Sequence, residues 1–423
     1  MTCVIVGGGV AGFQAALTSR ACWPDKPVIL IDAEQEIGYY RSLLPQFMAG
    51  KLDEERLFFW RNSEDLLLSI RTGKKVSHLD RENQRVELAE GERVEYERLI
   101  LAHGGSPNMP GVAGTTTCKG IFPIRDLTTA RMIRQWLSDH PEIVILGGSL
   151  VAVKTAIHLR SAGFKVSLSV RRDHTLLRVL SPRAAQRVDD HLRKKGVHLL
   201  FNANIDEIRV KDGAVDAVRA GNKWLPCNTL LVAAGATPDN TFLEGTDLLE
   251  NGELMISPTL QTLDRRIFAA GDGATILKNQ SKKFNPATWP HAVSQGKLAA
   301  QNLYRSVPNP LHILTGVNCM DLHGLSLVVL GPPVAGAEVM TDCSPSEGVF
   351  REIFLLNGQI VGGALVGDIS DAGILYAMMN TGRKIDQGMD HLLASRGRVL
   401  SYLSDNLGQR RQAFILPPQE LTI

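Results

Sequence analysis

A chain of 423 residues exceeds what one hydrophobic core supports, so two or three domains are expected. With 44% apolar and 21% charged residues it has the composition of a folded globular protein, which excludes wholesale disorder. Its 46 basic and 44 acidic side chains, net +2, provide no electrostatic footprint for nucleic acid and only a mild lean towards an acidic partner.

The first strand begins almost at Met1, which predicts no cleavable signal, and no apolar run is long enough to span a bilayer. The expected location is therefore cytoplasmic, with no membrane partner. Six cysteines (Cys3, Cys22, Cys118, Cys227, Cys319, Cys343) show no C-x-x-C and no metal-like His/Cys spacing, so free thiols in packed positions and no metal site are expected.

In chain order, Cys3-Val-Ile-Val6 runs into Gly7-Gly-Gly9-Val-Ala-Gly12, followed by a helical pattern through Phe13, Ala16 and Leu17. Strand, turn and helix is what a dinucleotide pyrophosphate needs. Gly7 permits the turn, Gly9 admits phosphates close to the backbone and Gly12 lets helix and strand touch, while the helix N-terminus supplies free N–H groups. The apolar run Val28 to Ile31 ends at Asp32, an acid placed to accept the hydroxyls of an adenosine ribose. Ile37 to Lys51, with Tyr39, Tyr40 and Arg41, reads either as an ordinary surface loop with one helical turn or as a loop lying on a flat ring. Short runs at Val76 to Leu79, Arg85 to Leu88 and Val94 to Tyr96 predict an antiparallel meander, which returns through Arg98 to Gly104 as a strand ending in glycines.

The opening arrangement then recurs. Ile143 to Leu146 runs into Gly147-Gly-Ser149-Leu-Val-Ala152, a helix from Val151 to about Ala162 and a strand from Lys165 to Val170. Two such units predict two bound nucleotides. Ser149 stands where the middle glycine would, with a side chain that has room to crowd a pyrophosphate, and Ala152 is a tolerated small residue in the third place. The ribose position has no acid: Val170 is followed by Arg171, Arg172 and, further on, Arg178. Their guanidinium groups suit a 2′-phosphate and so favour NADPH over NADH; the plain alternative is a solvated arginine face.

Arg183 to Lys195 reads as a helix, and Val197 to Leu200, Ile205 to Val210 and Val215 to Val218 as a small antiparallel sheet; Thr229 to Pro238 echoes the strand ending near Gly104. Ile267 to Asp272 places an acid at the carboxyl end of a strand, where open α/β sheets bind ligands. Asn285 to Asn302 is an amphipathic helix with Trp289, Gln295 and Gly296. From about Leu311, strands at Leu325 to Leu330, Val349 to Leu356 and Gln359 to Val366 precede a helical tail from about Asp371 to Leu407. This third, α+β domain suits packing and interface formation, because it shows no acid/base or nucleophile constellation. His103, His158 and His291 read as structural.

Together these motifs resemble the FAD-dependent pyridine nucleotide-disulfide oxidoreductase superfamily. Tyr39-Tyr-Arg-Ser-Leu-Leu-Pro45, Ala49-Gly-Lys51, Val361 to Asp368 and Asp371-Ala-Gly373 resemble its rubredoxin reductase and nitrite reductase flavin-domain branch. The resemblance implies an α/β fold with two Rossmann-like, glutathione reductase-type domains plus a C-terminal α+β domain. An FAD-binding domain would be split over 1–118 and 240–310, an NAD(P)-binding domain would span 119–239, and an interface domain 311–423. It further implies FAD with Gly7, Gly9 and Gly12 on its pyrophosphate, Asp32 on its ribose and the backbone of Val76 at its adenine. Arg41, Ser42 and Pro45 would line the flavin and Asp272 would hold ribityl and phosphate oxygens, with Ala102, Gly104, Gly271 and Trp289 completing the pocket. Gly147, Ser149, Ala152, Arg171, Arg172 and Arg178 would take NADPH or NADH.

The departures bear on mechanism. Ser42 to Leu44 precede Pro45 where disulfide-using relatives carry a cysteine, so no thiol is expected to relay electrons; Lys154 and Val170 stand where many relatives have glutamates. No residue is assigned the chemical step, the flavin-proximal candidates being Arg41, Ser42, Pro45 and Lys154. The implied activity is an FAD-dependent NAD(P)H oxidoreductase that passes a hydride to FAD and electrons on to a rubredoxin-like or iron-sulfur carrier or a partner subunit, with a homodimer compatible. The alternative is an FAD-binding electron-transfer or assembly subunit that has lost productive nicotinamide binding. A membrane quinone reductase is disfavoured, since the tail after Leu407 shows no long apolar face.

Overall fold

The computed structural model describes residues 2–60, 67–115, 117–278, 282–311, 317–344 and 348–384. Its helices are α1 (Val10–Cys22), α2 (Leu44–Met48), α3 (Leu127–Trp136), α4 (Leu150–Ser161), α5 (Pro182–Lys194), α6 (Trp289–Asn302) and α7 (Ala372–Thr381).

Two five-stranded parallel sheets repeat the order of four strands and differ in the fifth, the outermost strand, which comes last along the chain in the first sheet and first in the second. The first runs Ile267–Ala269, Arg98–Leu101, Cys3–Val6, Val28–Ile31, Leu68–Arg71; the second runs Ile121–Pro123, Thr229–Val232, Glu142–Leu146, Lys165–Val170, His198–Phe201. Each central strand is flanked on both sides, Val4 pairing with Ile29 and Leu99, and Val144 with Ser167 and Leu230. Val4, Ile5 and Ile145 are completely buried, which explains why these strands read as continuous apolar runs rather than alternating ones. Each half also carries an antiparallel meander: Val76–Asp80, Arg85–Leu88 and Arg93–Glu95 in the first, Ile205–Lys211, Ala214–Ala220 and Lys223–Pro226 in the second. The first sheet takes its last strand, Ile267–Ala269, only after the chain has completed the second. The two halves are joined by the antiparallel pair Ser106–Pro107 and Ala236–Thr237.

The duplication corrects one expectation. His198–Phe201 pairs in parallel with Lys165–Val170, as Leu68–Arg71 pairs with Val28–Ile31, and is not part of the antiparallel meander. Its register beside a parallel neighbour, set by tertiary packing, is not visible in a four-residue apolar run.

By contacts the chain divides into two units, Met1–Arg178 with Ala185–Asn318, and Val179–Ala184 with the residues from Cys319 on. The second unit holds an antiparallel sheet in the order Asn318–Asp321, Ser326–Gly331, Gln359–Val366, Val349–Leu356, Glu338–Ser344. Arg351 is 1% exposed within it, neutralised by Asp371 at 2.7 Å and Asp368 at 3.0 Å. α7 ends at Gly382, in the left-handed region at φ 60°; the expected continuation of the helix to Leu407 lies outside the described residues. Packed thiols are found at Cys3 and Cys227, but Cys22 and Cys319 are exposed, since Cys22 closes α1 and Cys319 lies at a strand start. The Cys343 side chain is outside what is described. Among the described residues no helix is long and apolar enough to cross a membrane.

Candidate nucleotide sites

The glycines of the opening turn serve different ends. Gly7 has φ 105°, and a Cβ there would overlap the Ala102 carbonyl; a Cβ at Gly12 would overlap the Gly7 carbonyl. Both are dictated by the chain's own backbone. A Cβ at Gly9 would instead meet nothing within 4 Å. This open space lies at the N-terminus of α1, which no side chain caps, and it fits a phosphate group that takes the free N–H donors.

Asp32, 9% exposed, is held against the same turn: Oδ1 accepts from the Glu34 amide at 2.6 Å and Oδ2 from the Gly8 amide. Burial raises its pKa, opposed by those two hydrogen bonds. The Lys74 amide donates to the Asp32 carbonyl at 2.8 Å, bringing the strand that starts at Val76 to this edge.

The stretch from Tyr39 to Pro45 is a 3-10 turn (Arg41–Leu43) leading into α2, with Pro45 in its first turn. Arg41 pairs with Glu34 and donates to the Arg125 carbonyl at 3.0 Å; the other Glu34 oxygen accepts from the Tyr39 hydroxyl at 2.5 Å, which itself accepts from the Leu127 amide at 3.2 Å. Burial lowers the pKa of Arg125 and the neighbouring Arg41 charge adds to this, with Asp272 opposing. A Cβ at Gly104 would lie 3.2 Å from Arg125 Nη2, so Gly104, Arg41, Arg125 and Asp272 converge.

The Gly271–Asp272 turn is held by α6 and by the segment that precedes it. Gln295, 1% exposed, accepts a hydrogen bond from the Gly271 amide, and the Asp272 carbonyl accepts from Asn285 Nδ2 at 2.9 Å. α6 can come this close because a Cβ at Gly296 would overlap the Ala11 carbonyl of α1. Trp289, at the start of α6, stacks obliquely on Tyr40 at 5.3 Å and edge-on to Phe59 at 5.8 Å. Ser42 is exposed, but its carbonyl accepts from Lys154 Nζ at 2.7 Å, so α4 of the second half is tied to the loop of the first.

In the second half Gly147, φ 138°, repeats the role of Gly7, a Cβ there overlapping the Ala233 carbonyl. The Ser149 side chain is engaged by the turn itself. Its hydroxyl folds back, donating to the Ala233 carbonyl at 3.2 Å and accepting from the Ala152 amide at 3.3 Å, which makes it the N-cap of α4. Ala152 is fully buried. A Cβ at Gly148 would lie 2.8 Å from Val170 Cγ1, so methyl groups fill the place where an acid would grip a ribose. Arg171, Arg172 and Arg178 are exposed on the loop that follows.

Glu34, Arg125 and Gln295 were not legible as site residues. Gln295 lies in a recognisable segment, but nothing in the spacing of Glu34 or Arg125 announces them; only the folded loops bring them to the turn.

The family profile described as Pyridine nucleotide-disulphide oxidoreductase matches residues 1–296. The chain is 27% identical to the biphenyl dioxygenase system ferredoxin–NAD(+) reductase component of Paraburkholderia xenovorans, over 73% of this chain and 76% of that protein. It is 26% identical to the rubredoxin–NAD(+) reductase of Pseudomonas putida, over 77% and 86% of the two. A solved ferredoxin reductase from Rhodopseudomonas palustris shares the fold with a TM-score of 0.86 over 95% of this chain and 99% of that one, at 22% identity.

Proposed function

The chain belongs to the pyridine nucleotide-disulphide oxidoreductase family, and from that premise we propose that it is an FAD-dependent NAD(P)H oxidoreductase that delivers electrons to a small redox protein. The observation that carries this is the uncapped glycine turn with open space over Gly9, standing in one unit with a second, duplicated half. The names of the relatives describe reductases, which favours this reading over a subunit without a working nicotinamide site.

FAD, when bound, supplies exchange between a two-electron donor and a one-electron acceptor. The chain's part is to hold and orient. Gly7, Gly9, Gly12 and the N-terminus of α1 would take the pyrophosphate, and Asp32 and the Val76 backbone the adenosine end. Arg41, Arg125 and Asp272, with Ala102, Gly104 and Gly271 close by, would balance charge around the phosphate and ribityl stretch. Ser42, Pro45 and Trp289 would border the ring, and Lys154 would hold the Ser42 loop to α4. The stretch from Tyr39 to Lys51 has no cysteine, so electrons would leave without a thiol relay.

Gly147, Ser149 and Ala152 would receive the reducing nucleotide. The relatives are named for NAD(+), but Arg171, Arg172 and Arg178, with Val170 in place of an acid, favour NADPH here. The duplicated sheets favour an FAD-binding domain at 1–118 with 240–310 and an NAD(P)-binding domain at 119–239, and the separate antiparallel sheet from Asn318 on favours a further domain at 311–423. The described cysteines are unpaired thiols, as suits the cytoplasm. A homodimer is compatible with the C-terminal domain serving as an interface.

Anaerobic titration of the flavin-loaded protein with NADPH and NADH tests the reading. Bleaching of the flavin absorbance is expected with both and at lower concentration with NADPH; a yellow protein inert to both donors would restore the subunit alternative.

A further inference from the structure

We propose that Asp189 is a positioning residue for nucleotide choice, locking the arginine-bearing loop 171–178 in place to receive a 2′-phosphate. The inference rests on the NADPH reading of that loop.

Asp189, on α5, is 0% exposed, and among the described residues three donors reach it, each from the loop. Thr175 gives Oγ1 at 2.6 Å and its amide at 3.3 Å to one carboxylate oxygen, and His174 gives Nδ1 at 2.8 Å to the other. A carboxylate accepts only, so Nδ1 carries the His174 proton. A carboxylate withdrawn from water needs such replacements, and loop and helix can separate only by leaving it unsatisfied.

The next residue continues the lock. Leu176 is 2% exposed, sits in the left-handed region at φ 58°, and donates its amide to the Gly148 carbonyl at 2.8 Å. A leucine adopts this conformation only where its surroundings impose it. Here one neighbour is clamped by Asp189 and the other bond reaches the glycine turn expected to face the nucleotide. The start of the loop is fixed as well, since the Ala203 amide donates to Val170 and the Asn202 amide to Arg172, both at 3.1 Å. Arg171 and Arg172 therefore extend from a backbone held at both ends, with Arg178 two residues beyond Leu176. Recognition then costs side-chain ordering but little loop ordering.

Two conservative variants of the flavin-loaded protein test this with 2′,5′-ADP and 5′-AMP as probes. Asp189→Asn keeps the acceptor for Thr175 but removes the charge and the acceptor for His174; Thr175→Val removes one donor at nearly equal volume. Both are expected to weaken 2′,5′-ADP by about tenfold, the effect of losing roughly one hydrogen bond to a charged group, and 5′-AMP by less than about twofold. Equal loss of the two probes would reduce Asp189 to a support of the fold, and unchanged discrimination would equally overturn the proposal. If the parent protein does not itself prefer 2′,5′-ADP, the NADPH reading fails first and this inference goes with it.

Discussion

A Cβ at Gly9 would stand in open space at the N-terminus of α1, whereas one at Gly12 would overlap the Gly7 carbonyl. The two substitutions to alanine should therefore separate binding from folding. Gly9→Ala is expected to leave the thermal midpoint of the flavin-free protein in place and to lower retained flavin by about tenfold, since a methyl group would hold the phosphates off their donors. Gly12→Ala should cost about 1–3 kcal/mol of stability by overpacking and lose flavin as well. Flavin content per chain and thermal melts read both, and a Gly9→Ala protein with full flavin would refute the assignment of the turn. His103 makes a pH prediction. Burial lowers its pKa, and its Nε2 lies 2.9 Å from Asn240 Oδ1. Because the folded value lies below the unfolded value of about 6.5, the unfolded chain binds more protons as the pH falls through that value, and stability falls with it. Melts between about pH 7.5 and 5.5 should show this decline, and His103→Gln should flatten it.

The contact of α1 with α6 is what brings Gln295 under Gly271 and Asp272, and it depends on the missing side chain at Gly296. Gly296→Ala is expected to lower stability by about 1–3 kcal/mol in urea titration and to loosen flavin binding in step, because the overlapped atom is backbone that cannot swing aside. An unchanged urea midpoint would show that the helices tolerate a wider spacing. At this scale the long elements were legible in the chain. α1, α4 and the strands at Cys3–Val6 and Val28–Ile31 follow from period and glycine punctuation. The assignment of His198–Phe201 was not legible, since four apolar residues do not say whether their partner runs parallel or antiparallel. Nor was the orientation of the Ser149 hydroxyl, whose acceptor, Ala233, is 84 residues away.

The two halves of the first unit meet across the Arg41–Arg125, Tyr39–Leu127 and Lys154–Ser42 bonds. The last links α4 of the second half directly to the Ser42 loop. Lys154→Met is expected to slow reduction of the bound flavin by NADPH about tenfold in stopped-flow measurements, the scale of one charged hydrogen bond, with flavin content unchanged. An unaltered rate would remove Lys154 from the site. Local spacing alone determined that there are two strand–turn–helix units with glycine-rich turns, that the first ends its second strand in an acid and the second in arginines, and that no cysteine lies between Tyr39 and Lys51. Each of these is carried by residues close together in the chain, where backbone sterics and side-chain chemistry act directly. Only the tertiary structure decided that Gly9 faces open space while Gly7 and Gly12 face backbone, that Glu34, Arg125 and Gln295 join the site, and that a buried Asp189 anchors the arginine loop. Those facts depend on which distant segments exclude water together, and burial and hydrogen-bond partners are properties of the packed chain.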